Sequence, residues 1–160
     1  MNTKIISAFS KSGKTYACEV LNKRGYTVLD DNHTDFSLLR KNEAIKSNPE
    51  YPQNYINYIK ENIGKADYIF VTSDKIVTDV LTKNEIPFTL VYPNINLKAE
   101  WIGRHFLDGT YPIICRLIAE RWDNTIYELS RTVNCDHIVL YDYRSPRCKY
   151  LLDLFENDMI

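Results

Sequence analysis

Residues 8–15 read Ala8-Phe9-Ser10-Lys11-Ser12-Gly13-Lys14-Thr15. They fit G-x-x-x-x-G-K-[ST], a loop that wraps phosphate, with alanine in place of the first glycine. The octet follows a short apolar run, Ile5-Ile6-Ser7-Ala8-Phe9, and leads into a helix-like run at residues 16–23. A strand before and a helix after are what the loop requires, because its job is done by backbone. Successive N–H groups curl into a nest for phosphate oxygens, and the following helix adds its positive end. Phe9, Ser10, Lys11, Ser12, Gly13, Lys14 and Thr15 are therefore the expected nucleotide-binding residues. Lys14 is expected to reach the β- and γ-phosphates, and the Thr15 hydroxyl to hold Mg²⁺. The first glycine only ends the strand in a tight turn, and a methyl group is the smallest change there. Gly13 lets the backbone approach phosphate, and it is intact.

Outward from the octet, short apolar runs alternate with helical patterns. Strands are expected at residues 4–9, 26–29, 68–71, 88–92 and 137–141. Helices are expected at 13–23, 54–63, 75–83, 97–106, 113–130 and 147–155, with a short one at 36–46. Tyr68-Ile69-Phe70-Val71 is continuously apolar, as in parallel strands buried on both faces. The alternation predicts an α/β fold: a three-layer sandwich around a five-stranded, mostly parallel sheet. The length of 160 residues suits one domain. Residues 1–160 are read as that domain, with a lid at about 95–121 hinged near Gly109 and Pro112.

Composition narrows the function. A net charge of -1 argues against a broad nucleic-acid surface. Cys18, Cys115, Cys135 and Cys148 form no C-x-x-C pair and no metal-ligand spacing, which favours reduced thiols in a cytoplasmic protein. The first residues lack the apolar stretch of a signal peptide, and no run approaches the roughly 20 apolar residues of a membrane helix.

Ligands of open α/β sheets bind at the carboxyl ends of strands. Those ends supply the octet, then Asp30-Asp31-Asn32, then Thr72-Ser73-Asp74, then Tyr92-Pro93-Asn94. Asp30 is the candidate to orient Mg²⁺ or to take a proton from a substrate hydroxyl. Asp31 and Asn32 are candidates to contact the acceptor molecule. Spacing alone does not separate Asp30 from Asp31, and an acidic turn is the structural alternative to both. Ser73 and Asp74 are further substrate-side candidates, with a plain helix N-cap as their alternative. Tyr51 and Tyr55 are candidates for the acceptor pocket, although they equally suit an ordinary packed helix face. Phosphoryl transfer also needs positive charge on the migrating group. Arg104, Arg116 and Arg121 are the candidates, and solvated helix-surface charges are their alternative.

The octet, the Asp30-Asp31-Asn32 closure of strand two and the arginine-bearing helix after strand four resemble the nucleoside and nucleotide kinase group of P-loop proteins. The distance from Lys14 to Asp30 is similar to that in shikimate-kinase-like members. There an acid-x-acid pair closes the second strand, one acid near Mg²⁺ and the other near the acceptor hydroxyl. Here the pair is Asp30 and Asn32, so an amide replaces the second acid and argues against shikimate. Most of the chain is also similar to small P-loop kinase-like proteins carried by bacteriophages. That similarity rests on Asn48-Pro49-Glu50-Tyr51-Pro52, residues 68–74 and Phe88-Thr89-Leu90-Val91-Tyr92-Pro93. The resemblance implies a P-loop fold and an ATP- (or other NTP-) and Mg²⁺-dependent kinase for a small molecule, a nucleoside or nucleoside monophosphate. For a phage-encoded protein the site of action would be the host cytoplasm. From other classes, a nucleotide-binding factor without transfer activity and a slow nucleotide hydrolase remain open.

Overall fold

The computed structural model describes residues 2–30, 33–41 and 44–160. In chain order the elements are β1 (Lys4–Ala8), α1 (Lys14–Lys23), β2 (Val28–Leu29), α2 (His33–Ser37), β3 (Leu38–Lys41), β4 (Ala44–Ser47), α3 (Gln53–Asn62), β5 (Tyr68–Thr72), α4 (Lys75–Lys83), β6 (Thr89–Pro93), α5 (Lys98–Leu107), α6 (Pro112–Ser130), β7 (Asp136–Leu140) and α7 (Leu151–Glu156). Five of the strands form one sheet in the order β2-β5-β1-β6-β7, and every ladder in it is parallel. This is a Rossmann-like or P-loop-like sheet flanked by helices, the class expected from the alternating runs.

The central strands are buried because they are apolar on both faces. Ile5, Ile6, Ser7 and Ala8 of β1 are all buried, as are Ile69, Phe70 and Val71 of β5. Ser7 is the polar exception, and its hydroxyl donates to the Thr72 carbonyl at 3.0 Å. Tyr68 and Phe70, two residues apart on one strand face, meet Phe155 of α7 at ring-centroid distances of 5.0 and 6.1 Å. A second aromatic cluster joins Phe9 to Trp122 of α6 and Trp101 of α5, with centroids 5.9 and 6.4 Å away. Both tryptophans are fully buried, and each indole N–H finds a carbonyl, Ser10 for Trp101 and Ile95 for Trp122.

Three local expectations change. The run at 36–46, rich in helix formers, is instead the end of α2 followed by an antiparallel hairpin, β3 with β4, in the register Leu38↔Ser47 to Lys41↔Ala44. Pairing across the hairpin overrides the intrinsic propensity of Leu, Arg, Lys and Ala. Strand two starts at Val28 rather than residue 26, because Gly25 and Tyr26 finish the preceding helix. Gly25 takes φ +95°, Gly25 N–H donates to Asn22 and Tyr26 N–H to Leu21, which is a Schellman C-terminus. The last helix begins at Leu151, not residue 147, because residues 141–148 are tied up in turns, with Tyr141 N–H bonded to the Cys148 carbonyl.

The chain leaves β1 toward β2 on one side and leaves β6 toward β7 on the other. Neighbouring strands whose continuations diverge open a crevice at their carboxyl ends. The octet is the segment that follows β1 into this crevice. Among the described residues no helix is long and apolar enough to cross a membrane.

Candidate functional site

β1 ends at Ala8, which is fully buried and keeps the negative φ of a strand. Alanine is tolerated there because the position does not need the freedom of glycine. Phe9 N–H still pairs with the Val91 carbonyl of β6 at 2.9 Å, and then the backbone turns. Lys11 takes φ +60° and Gly13 φ +86°, on either side of a Ser12 N–H to Phe9 carbonyl bond of 3.3 Å. α1 starts at once with Lys14, so its first amides have no intrahelical acceptor. Alternating left-handed and right-handed residues at a helix N-terminus form a nest suited to anions.

The side chains of the same turn converge. Lys14 Nζ donates to the Ala8 carbonyl at 2.9 Å, folding the lysine back over the loop. Thr15 Oγ1 donates to Asp30 Oδ2 at 2.9 Å, bringing the end of β2 to the start of α1. Burial lowers the Lys14 pKa, the carboxylates of Asp30 and Asp74 oppose that shift, and Lys11 adds to it. Asp74 also acts on Tyr51, whose phenol is raised by burial first and by that carboxylate second. Lys14, Thr15, Asp30, Asp74 and Tyr51 are therefore electrostatic neighbours. A hydroxyl and a carboxylate oxygen beside a phosphate nest match the donors Mg²⁺ takes, which are one or two protein oxygens with substrate phosphates completing the shell. Among the described residues no cluster of three or more His, Cys, Asp or Glu side chains could hold a metal by itself.

Arg104 is placed differently from Arg116 and Arg121. Its side chain is 11% exposed and its guanidinium donates to the carbonyls of Lys11 and Lys149 and to Glu100 Oε1, at 3.1, 3.1 and 2.7 Å. Trp101 and Tyr150 lie on its faces, each ring centroid 3.9 Å from the guanidinium carbon. Arg116 is exposed on α6 and paired with Glu120 at 2.9 Å, and Arg121 is exposed on the same helix. Of the substrate-side candidates, Ser73 is buried, Asp74 stands at the N-cap of α4, and Tyr51 is half-buried. Tyr55 is a core residue packed on Phe36 at 4.9 Å and Tyr51 at 6.5 Å. Asp31 and Asn32 lie outside the described residues. A cleft of about 730 Å³ between α4 and α6 includes Phe9, Ser73 and Asp74 in its lining, but not Lys14, Thr15 or Asp30.

Several contacts to the loop come from residues whose role the sequence patterns did not reveal. His105 Nε2 and Ser10 Oγ are 3.3 Å apart, and Lys11 is ion-paired with Asp108. Burial first, then Lys11, lowers the His105 pKa, with Asp108 opposing. Leu151 N–H donates to the Ser12 carbonyl at 2.8 Å, and Tyr150 packs beside Gly13. The one local signal was the Glu100, Trp101, Arg104 spacing on α5, which places an acid and a ring within reach of one guanidinium. Compared with known proteins, the chain matches no family model and no curated sequence.

Proposed function

We propose that this protein is an ATP-dependent phosphotransferase acting on a small molecule, a nucleoside or nucleoside monophosphate, with Mg²⁺. The observation that carries the reading is the turn from Lys11 to Gly13, strained into a nest, with Lys14, Thr15 and Asp30 gathered at its mouth. The loop amides and the α1 N-terminus would bind the β- and γ-phosphates. Lys14 would exchange its bond to the Ala8 carbonyl for phosphate oxygens. Thr15 and Asp30 would hold Mg²⁺, which when bound neutralises charge on the bridging phosphates.

Transfer forms a bond between the acceptor oxygen, a nucleoside hydroxyl or a monophosphate oxygen, and the γ-phosphorus, and breaks the bond to the β–γ bridging oxygen. ADP leaves; a hydroxyl acceptor gives its proton to a carboxylate, and an ionised monophosphate has none to give. Asp30 and Asp74 are the carboxylates whose charge reaches Lys14. Most of the rate gain would come from positioning and fixed charge.

A second reading is a nucleotide-binding protein that does not transfer the phosphoryl group. It is favoured by the occupied state of Arg104, whose guanidinium is bonded to backbone and Glu100. Incubation with γ-labelled ATP, Mg²⁺ and a panel of nucleosides and nucleotides separates the two. Labelled acceptor is the expected product. Tight ATP binding without turnover in the presence of any acceptor would favour the second reading. A Lys14→Ala variant that binds ATP as tightly as the parent would overturn both.

A further inference from the structure

The octet has two sides. The amides of Phe9 and Ser12 are used within the fold, on the Val91 and Phe9 carbonyls, which leaves those of Ser10, Lys11 and Gly13 for the proposed anion site. Three consecutive carbonyls are each held by a donor from a distant part of the chain. The Trp101 indole holds Ser10 at 2.8 Å, the Arg104 guanidinium holds Lys11 at 3.1 Å, and the Leu151 amide holds Ser12 at 2.8 Å. Arg104 sits between the other two donors. It stacks on Trp101, and its Nη1 and Nη2 both donate to the Lys149 carbonyl at 3.1 Å, just before Leu151. Tyr150 covers its other face and lies 3.4 Å from where a Cβ on Gly13 would stand.

We propose that Arg104 is a positioning residue that locks the carbonyl side of the loop so that its amide side stays open to phosphate. This rests on the nucleotide-binding reading above. A guanidinium suits the task because a planar fork bonds two carbonyls while both faces stack on rings. Its charge is balanced by Glu100, so its work is done through the shape of the loop rather than by attracting phosphate. Lys11, at φ +60°, is the strained residue of the turn, and its carbonyl is the one Arg104 holds. Removing Arg104 leaves Glu100 with a second cation, Lys149, at 3.5 Å. An Arg104→Ala variant therefore keeps that carboxylate paired.

The test uses the full chain, a fluorescent ATP analogue with Mg²⁺, and amide hydrogen exchange. Arg104→Ala is expected to weaken the analogue by about ten-fold or more, the scale of losing charge-assisted hydrogen bonds. Its circular dichroism melt should remain a single cooperative transition. Without ligand, exchange at Ser12 and Leu151, whose N–H groups are bonded to the Phe9 and Ser12 carbonyls, should rise by on the order of ten-fold, while exchange in β5 stays unchanged. Low-millimolar guanidinium should restore binding to Arg104→Ala but not to Lys14→Ala, and Arg104→Lys should fail because a point charge neither forks nor stacks. Parent-like affinity or parent-like exchange in Arg104→Ala would overturn the proposal. So would unchanged affinity with lost turnover, which would mean that Arg104 touches the transferring group. If the parent itself does not bind the analogue, the nucleotide-binding reading falls, and the exchange comparison still decides the role of Arg104.

Discussion

Gly13 and Lys14 are adjacent residues with separable physical duties. Gly13 stands at φ +86° with Tyr150 at 3.4 Å from a would-be Cβ, and Gly25 stands at φ +95° with open space around it. Alanine at either position should cost about 1–2 kcal/mol through the left-handed backbone. Only Gly13→Ala should also weaken ATP, because only there does the backbone strain fall within the loop, where the methyl would also contact the Tyr150 ring. Urea melts of both variants beside ATP titrations check this, and equal ATP affinity for the two would refute it. Lys14 carries a pH signature. Its folded pKa is lowered by burial, so between that value and the ordinary lysine range the unfolded chain holds a proton that the folded chain has released. Stability conferred relative to Lys14→Met should therefore rise with pH across that window. ATP affinity should fall across the same window, because the charge that meets phosphate is being lost. Asp30→Asn, which removes a carboxylate that raises the folded Lys14 pKa, should make both changes begin at lower pH. Paired denaturation and binding curves against pH read the two opposite slopes.

At the scale of elements, α7 does more than cover β5. Its first turn is fastened by Asp153, whose Oδ2 accepts the N–H groups of Lys149 and Tyr150, each at 2.8 Å. The neighbouring Leu151 N–H is the bond that reaches Ser12 in the loop. Asp153→Ala should cost about 1 kcal/mol, the usual value of a helix N-terminal carboxylate acceptor. It should also speed amide exchange at the loop, without changing any residue proposed to touch ligand. Urea denaturation gives the first number and hydrogen exchange the second, and an unaltered loop would show that α7 is only a cover. Some element boundaries were readable from local chemistry. Gly25 as a helix stop and the apolar runs at residues 68–71 and 88–92 are examples. The hairpin at Leu38–Ser47 was not readable, because its residues favour helix individually and become strand only when each half has the other as partner.

Across the whole molecule, short-range patterns were enough for the α/β class and for the loop, and for physical reasons. A strand buried on both faces is mostly apolar, as β1 is apart from Lys4 and Ser7, and the larger positive φ of the loop falls on a glycine, Gly13. Residues 4–15 carry both marks within twelve positions. The order β2-β5-β1-β6-β7 was decided by tertiary packing, since nothing local in a strand run says which neighbour it takes. The meeting of Thr15 with Asp30 was anticipated from strand ends, because both lie where adjoining segments leave the sheet. The clasp around the loop was not anticipated. Lys11 and Arg104 are 93 positions apart, and a solvated helix arginine and a backbone clamp have the same sequence signature. The sequence alone determined the α/β class and the tight turn that joins β1 to α1, because backbone geometry and burial leave local marks. Only the tertiary structure decided that Arg104 turns toward the carbonyl side of that loop, because the carbonyls, the rings and the acid that hold it come from separate parts of the chain.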